Sequence, residues 1–172
     1  MQVSLEMKTF LVSEKCNNFR CSHCKTSVGG NENMGTMYRN HCPSCLYSRH
    51  VDLERSGDRK AKCKSKMEPI GLTYKGEGKN KYGEERIGEL MLIHRCCNED
   101  CEKISINRLA ADDSVDAVIK IFTNSLSLEK EFRNTFNEAH GIYILDKDDW
   151  EEVNSQLKGN GNNKLSNDPI EY

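Results

Sequence analysis

Cys21-Ser22-His23-Cys24 and Cys42-Pro43-Ser44-Cys45 decide how this chain folds. Each is a C-x2-C pair, which sets two thiolates on one tight turn, at two corners of a tetrahedron. The 17 residues between the pairs, with Gly29-Gly30-Asn31 among them, suit a ribbon of two cysteine hairpins. Four sulfurs close the coordination sphere of a zinc ion and leave no position for water or substrate, so the expected site is structural.

The rest of the composition agrees with a metal staple. The chain has 172 residues, 36 % of them hydrophobic and 30 % charged, so its core is small for its length. No secretory leader is evident, and no apolar run approaches the roughly 20 residues of a membrane span. The expectation is a cytoplasmic protein without membrane contact, whose thiols stay reduced and favour metal over disulfides. Nine cysteines, an odd number, also argue against a complete disulfide framework.

A second zinc site is expected from Cys63, Cys96 and Cys101. Its fourth ligand is to be chosen among His50, His94 and Cys97. His50 is preferred, because His94 lies two residues from Cys96 on an expected strand and would crowd the site. Cys96 and Cys101 are spaced more loosely than a standard pair. Cys16 is expected to have no special role, His23 to be an exposed turn residue, His41 to hydrogen-bond beside a ligand, and His140 to close a helix.

Outward from the cysteines, Val3, Leu5 and Met7 alternate as a short strand. Residues 46–54 are strand-like, Ser56-Gly57-Asp58-Arg59 is a turn, and 75–85 form an exposed loop. Leu90-Met91-Leu92-Ile93 is a buried strand, and Ile104 and Ile106 alternate. Helical spacing then takes over. Asp113 or Ser114 caps Val115, Val118, Ile119 and Phe122; Ser127 caps Leu128, Phe132 and Phe136; Gly141 is a stop. A strand at 142–145 precedes a helix capped by Asp148 and carrying Trp150, Val153 and Leu157. The expected fold is α+β. A small zinc-ribbon-like β domain at 1–110 is stapled by one or two zinc sites. An acidic α-rich C-terminal region follows at 111–157, and then a disordered tail at 158–172.

Arg39-Asn40-His41-Cys42-Pro43 spells the motif that names the RNHCP domain family, and Arg39 to Asp52 resembles that family throughout. So do Gly57-Asp58-Arg59, Cys63 with Met67-Glu68-Pro69-Ile70, His94-Arg95-Cys96, and Asn107-Arg108-Leu109-Ala110 with Asp112-Asp113. The resemblance runs along residues 19–113. It departs at the last cysteine pair, a C-x2-C in the family, where Cys96 and Cys101 are separated by four residues and leave Cys96 or Cys97 as the ligand. The resemblance implies a zinc-ribbon-like module and names no activity.

Charge suggests a partner. Residues 1–66 carry 12 Lys/Arg against 6 Asp/Glu, net +6, and residues 111–172 carry 6 against 13, net −7. Arg20, Lys25, Arg39, Arg49, Arg59, Lys60 and Lys62 are candidate phosphate contacts, joined by Arg55, Lys64 and Lys66, with Tyr38 and Tyr47 available to stack on bases. The expected function is nucleic-acid binding, to RNA or a ribosomal or other ribonucleoprotein surface. The alternative is a protein-interaction adaptor that engages its partner through the acidic helices, with Leu128, Phe132 and Phe136 as anchors. An enzyme is disfavoured: Asp112-Asp113 beside Asn107-Arg108 has no nucleophile–base pair or phosphate-cradling loop with it.

Overall fold

The computed structural model describes residues 18–30, 39–55, 57–79, 81–83 and 86–159. The strand expected at Val3–Met7, Cys16, Tyr38 and residues 160–172 of the expected tail lie outside them.

Strands β1 (Phe19–Arg20) and β2 (Ser27–Val28) form a small antiparallel hairpin. A four-stranded antiparallel sheet follows in the order β3 (Ser48–Arg49), β4 (Lys66–Tyr74), β5 (Leu90–Cys96), β6 (Ile104–Arg108). Helices α1 (Val115–Leu126), α2 (Lys130–His140) and α3 (Trp150–Gly159) complete the chain, with a 3-10 turn at Lys147–Asp149 before α3.

The continuous apolar run of β5 reflects burial on both faces of the sheet. Leu90 and Leu92 pack with Leu72 of β4 against Val118, Ile121 and Phe122 of α1 and Val153 and Leu157 of α3. Ile93 points the other way, to Phe136 of α2 and Ile144. Each fully buried aliphatic side chain here contributes about 1.5–3 kcal/mol relative to exposure. The core therefore runs across residue 110, joining the sheet to the helices. Leu46, beside Cys45, belongs to the same cluster and ties a cysteine turn to the core.

Some helix boundaries follow the sequence expectation and others differ from it. Ser114 caps α1, accepting a hydrogen bond from the Ala117 amide. Asp113 instead turns inward. Ser127 ends α1 rather than starting α2, whose first turn follows Glu129 without a side-chain cap. Gly141 stops α2 as expected, in the left-handed region at φ 64. Asp146, not Asp148, caps the turn before α3, in a reciprocal capping box with Asp149.

Residues 142–145 form no strand. Leu145 makes one ladder bond, from its amide to the Leu72 carbonyl at 2.9 Å. Pro69 supplies no amide, and a register shift between Pro69 and Gly71 disrupts the neighbouring ladder. The Ile144 and Leu145 carbonyls are taken by the Arg133 guanidinium, each at 3.0 Å. At Gly71 the chain passes close to this segment, and a Cβ would stand 3.0 Å from Ile144 Cγ2, tighter than ordinary packing. Of the expected adaptor anchors, Leu128 and Phe136 are packed into this second cluster, and Phe132 remains 39 % exposed. No helix among the described residues is long and apolar enough to cross a membrane.

Candidate metal centres

The first cluster is built from two turns of the same design. In one, the Cys21 amide bonds the Thr26 carbonyl at 2.9 Å and the Lys25 amide bonds the Cys21 carbonyl at 3.1 Å. In the other, the Cys42 amide bonds the Tyr47 carbonyl at 2.9 Å and the Leu46 amide bonds the Cys42 carbonyl at 2.8 Å. The Sγ atoms of Cys21 and Cys45 are 3.6 Å apart, as are those of Cys24 and Cys42. A disulfide would bring them to about 2.05 Å. A tetrahedron with zinc–sulfur legs of about 2.3 Å has edges of about 3.8 Å, which these separations match closely. All four ligand atoms lie within 4.8 Å of one another.

The second cluster brings together His50, Cys63, Cys96 and Cys101. Cys63 and Cys96 sulfurs are 3.6 Å apart, and Cys101 Sγ is 3.3 Å from His50 Nδ1. Cys96 closes β5 facing the cluster, whereas Cys97 is exposed and its amide bonds the Lys66 carbonyl at 2.9 Å. The longer Cys96–Cys101 spacing is absorbed by a turn in which the Asn98 carbonyl accepts from the Cys101 and Glu102 amides. Asn98 Nδ2 also lies 3.5 Å from Cys63 Sγ. His94 is held elsewhere, with Nε2 2.7 Å from the Leu46 carbonyl and Nδ1 2.9 Å from Asn107 Nδ2. Burial lowers its pKa to about 4.

The backbone carries a signature of both centres. Five non-glycine residues among those described have positive φ, and four of them directly follow a ligand cysteine: Lys25, Leu46, Lys64 and Glu102. The left-handed conformation costs an L-residue about 1–2 kcal/mol, so the cysteine turns impose it at each site. The metal-free thiols are also unequal. The Thr26 hydroxyl draws Cys24 down to about 6, and Ser65 draws Cys63 down to about 5. Burial pushes Cys96 up to about 12 and raises Cys45 as well.

The stretch Arg39–Pro43 is fastened inward. Arg39 is 6 % exposed, with its guanidinium bonded to both carboxylate oxygens of Asp112 and 3.4 Å from Asp113 Oδ1. His41 Nε2 is 2.8 Å from Asp113 Oδ2, the Pro43 carbonyl accepts from the Ser114 amide at 2.8 Å, and Cys42 belongs to the first cluster. Asn40 Nδ2 donates to Asp52 Oδ2 at 2.8 Å, and Asp52 also accepts from the Gly57 and Arg59 amides. Arg39 is therefore no surface phosphate contact; it is buried and its charge is committed to Asp112. Asp112 and Asp113 are structural partners of Arg39 and His41, and Arg108 pairs instead with Glu89 at 2.7 Å. Sequence reading missed this network, because its partners lie 72 or 73 residues apart.

The remaining cations stay near the surface. Arg20, Lys25, Arg49, Lys60 and Lys62 are exposed, and Arg59 is half-buried. Tyr47 is not an open platform, since His23 stacks on it with ring centroids 3.7 Å apart and the Lys66 ammonium lies 5.6 Å from its ring centroid. His23 is exposed on its turn, as expected, and His140 closes α2.

Residues 16–119 match the family model of the RNHCP domain. The comparisons found no match among curated proteins or among solved structures. The matched segment takes in both cysteine clusters, the inward-facing Arg39–Pro43 stretch and the start of the helix it grips, and it spans more than half of the sequence: the chain belongs to the RNHCP domain family.

Proposed function

We propose that this chain is a two-zinc structural module that binds nucleic acid, RNA above all, through its N-terminal cations. For the metal, the supporting observation is the donor set. One centre offers four cysteines and the other three cysteines and a histidine, with separations that suit a tetrahedral ion, and zinc favours both the ligands and the geometry. Four protein ligands at each centre leave no position for substrate, which favours a structural role over a hydrolytic one.

For the nucleic acid, the supporting observation is how the exposed cations are held. Arg20, Lys25 and Arg49 bond to the backbone carbonyls of Lys25, Ser22 and Lys64. Among the described residues none of these three, nor Lys60 or Lys62, forms an ion pair with a carboxylate. Carbonyl bonds orient a side chain without neutralising its charge, which leaves the charge available to phosphate.

The test is single-stranded RNA binding by fluorescence anisotropy across a salt series. The log of the association constant should fall with log salt at about −0.7 per phosphate contacted. The double variant Lys60→Glu, Lys62→Glu should weaken binding with its zinc content intact. Unchanged affinity in that variant, or no salt dependence, contradicts the reading.

A further inference from the structure

A cleft of about 310 Å³ opens beside the second metal centre. Arg49 of β3 and Ile104 and Ile106 of β6 both line it, although β3 and β6 are the two edges of the sheet. The sheet is curled, and the cleft lies where its edges approach each other. The wall at 51–55 is held by two carboxylates. Asp58 accepts hydrogen bonds from the amides of Leu53, Glu54, Arg55 and Lys60, and Asp52 is saturated by Asn40, Gly57 and Arg59.

Two features bear on an occupant. Leu53 and Ile106, 47 % and 40 % exposed, line the cleft with Ile104 and Ile142, so apolar surface stands open to solvent there. Arg49, Arg55 and Lys103 also line it and are exposed, against two acidic lining residues, Glu54 and Asp52, of which Asp52 is taken up by Asn40, Gly57 and Arg59. Two other lining residues hold buried polar atoms without a hydrogen-bond partner among the described residues, His50 Nε2 and Asn40 Oδ1. His50 is only 5 % exposed, and its Nδ1 faces Cys101 Sγ. His50 Nε2 and Asn40 Oδ1 are closed to solvent and lie beneath the cleft's surface, so an occupant meets the apolar lining and the cations instead.

We propose that this cleft takes one nucleotide of single-stranded RNA, its base against the isoleucines and its phosphate on Arg49, Arg55 and Lys103. The proposal rests on the nucleic-acid reading above and assigns it a base-binding site. A nucleotide joins a flat, apolar base to a charged phosphate, so it meets the apolar lining and the cationic rim together. An acidic peptide would satisfy the cations but leave the isoleucine lining unused.

The test is methyl NMR on the zinc-loaded, isoleucine-labelled protein, titrated separately with adenosine monophosphate, uridine monophosphate, inorganic phosphate and hexaglutamate. The Ile104, Ile106 and Ile142 methyl signals should move with a mononucleotide and not with phosphate alone. Ile106→Glu and, independently, Lys103→Glu should weaken single-stranded RNA binding about tenfold, with melting temperature and zinc content preserved. Shifts with hexaglutamate and not with mononucleotides would assign the cleft to an acidic peptide and overturn the proposal. RNA binding that survives both variants, with still methyl signals, overturns the cleft while leaving the wider cationic reading in place. Failure of RNA and mononucleotides alike removes both.

Discussion

His41 Nε2 lies 2.8 Å from Asp113 Oδ2, and this contact fastens the turn that holds Cys42 to the start of α1. The same carboxylate oxygen accepts from the Ala110 amide at 2.8 Å, and Arg39 reaches both Asp112 and Asp113. Each residue from Arg39 to Pro43 thus has a structural task. Three grip residues 112–114, one orders the 52–59 turn through Asp52, and one belongs to the first cysteine cluster. The family's naming motif is the joint between a candidate metal centre and the helical layer.

Removing one side of this joint leaves buried donors without an acceptor. Asp113→Ala should destabilise the protein by about 2–3 kcal/mol, because His41 and the Ala110 amide lose their shared partner while Arg39 keeps Asp112. Chemical denaturation of the zinc-loaded protein measures this. A loss below about 1 kcal/mol would show that the network is dispensable.

The joint should also respond to acid. Hydrogen bonds from Arg39 hold the Asp112 carboxyl below the usual carboxylate range. A carboxyl depressed in the folded state stabilises the fold above its unfolded pKa of about 3.9, and that stabilisation disappears as pH falls through the folded value. Asp112→Asn should therefore lower stability at neutral pH and flatten its decline below about pH 4. Parallel stability curves for the two proteins across the acid range would refute the assignment.

Arg133 substitutes for a missing strand. Its guanidinium serves the carbonyls of Ser125, Ile144 and Leu145. Arg133→Met keeps much of the apolar stem but strands those carbonyls, and should cost about 2–3 kcal/mol. Thermal melting reads the change, and an unaltered midpoint would mean that water replaces the guanidinium.

Lys64 is left-handed, at φ 54, directly after Cys63. Lys64→Gly should relieve that strain and stabilise the protein by about 0.5–1 kcal/mol without change in metal content. Destabilisation would indicate that the lysine side chain contributes more than its backbone costs.

The two C-x2-C pairs were legible because a tetrahedral ion needs two ligands per tight turn, a purely local requirement. Cys63, Cys96, Cys101 and His50 were readable only as a set, since the turn at Asn98–Glu102 hides their pairing behind an irregular spacing. The buried strand at Leu90–Ile93 and the apolar stripe of α1 followed from periodicity. Ser127 misled because its hydroxyl and amide both bond the Asn124 carbonyl, so it closes α1. Residues 142–145 misled because β texture is not sufficient where Pro69 breaks the neighbouring ladder and Arg133 takes the carbonyls. Arg39 read as a surface cation because nothing local reveals a carboxylate 73 residues away.

Metal content of the natively purified chain, measured together with that of Cys42→Ser and Cys63→Ser, tests the two-centre account most directly. Two zinc per native chain is the expected result, with each variant retaining one and losing cooperative unfolding around the emptied centre. A native protein that unfolds cooperatively with no bound zinc, or either variant keeping both ions, would contradict it.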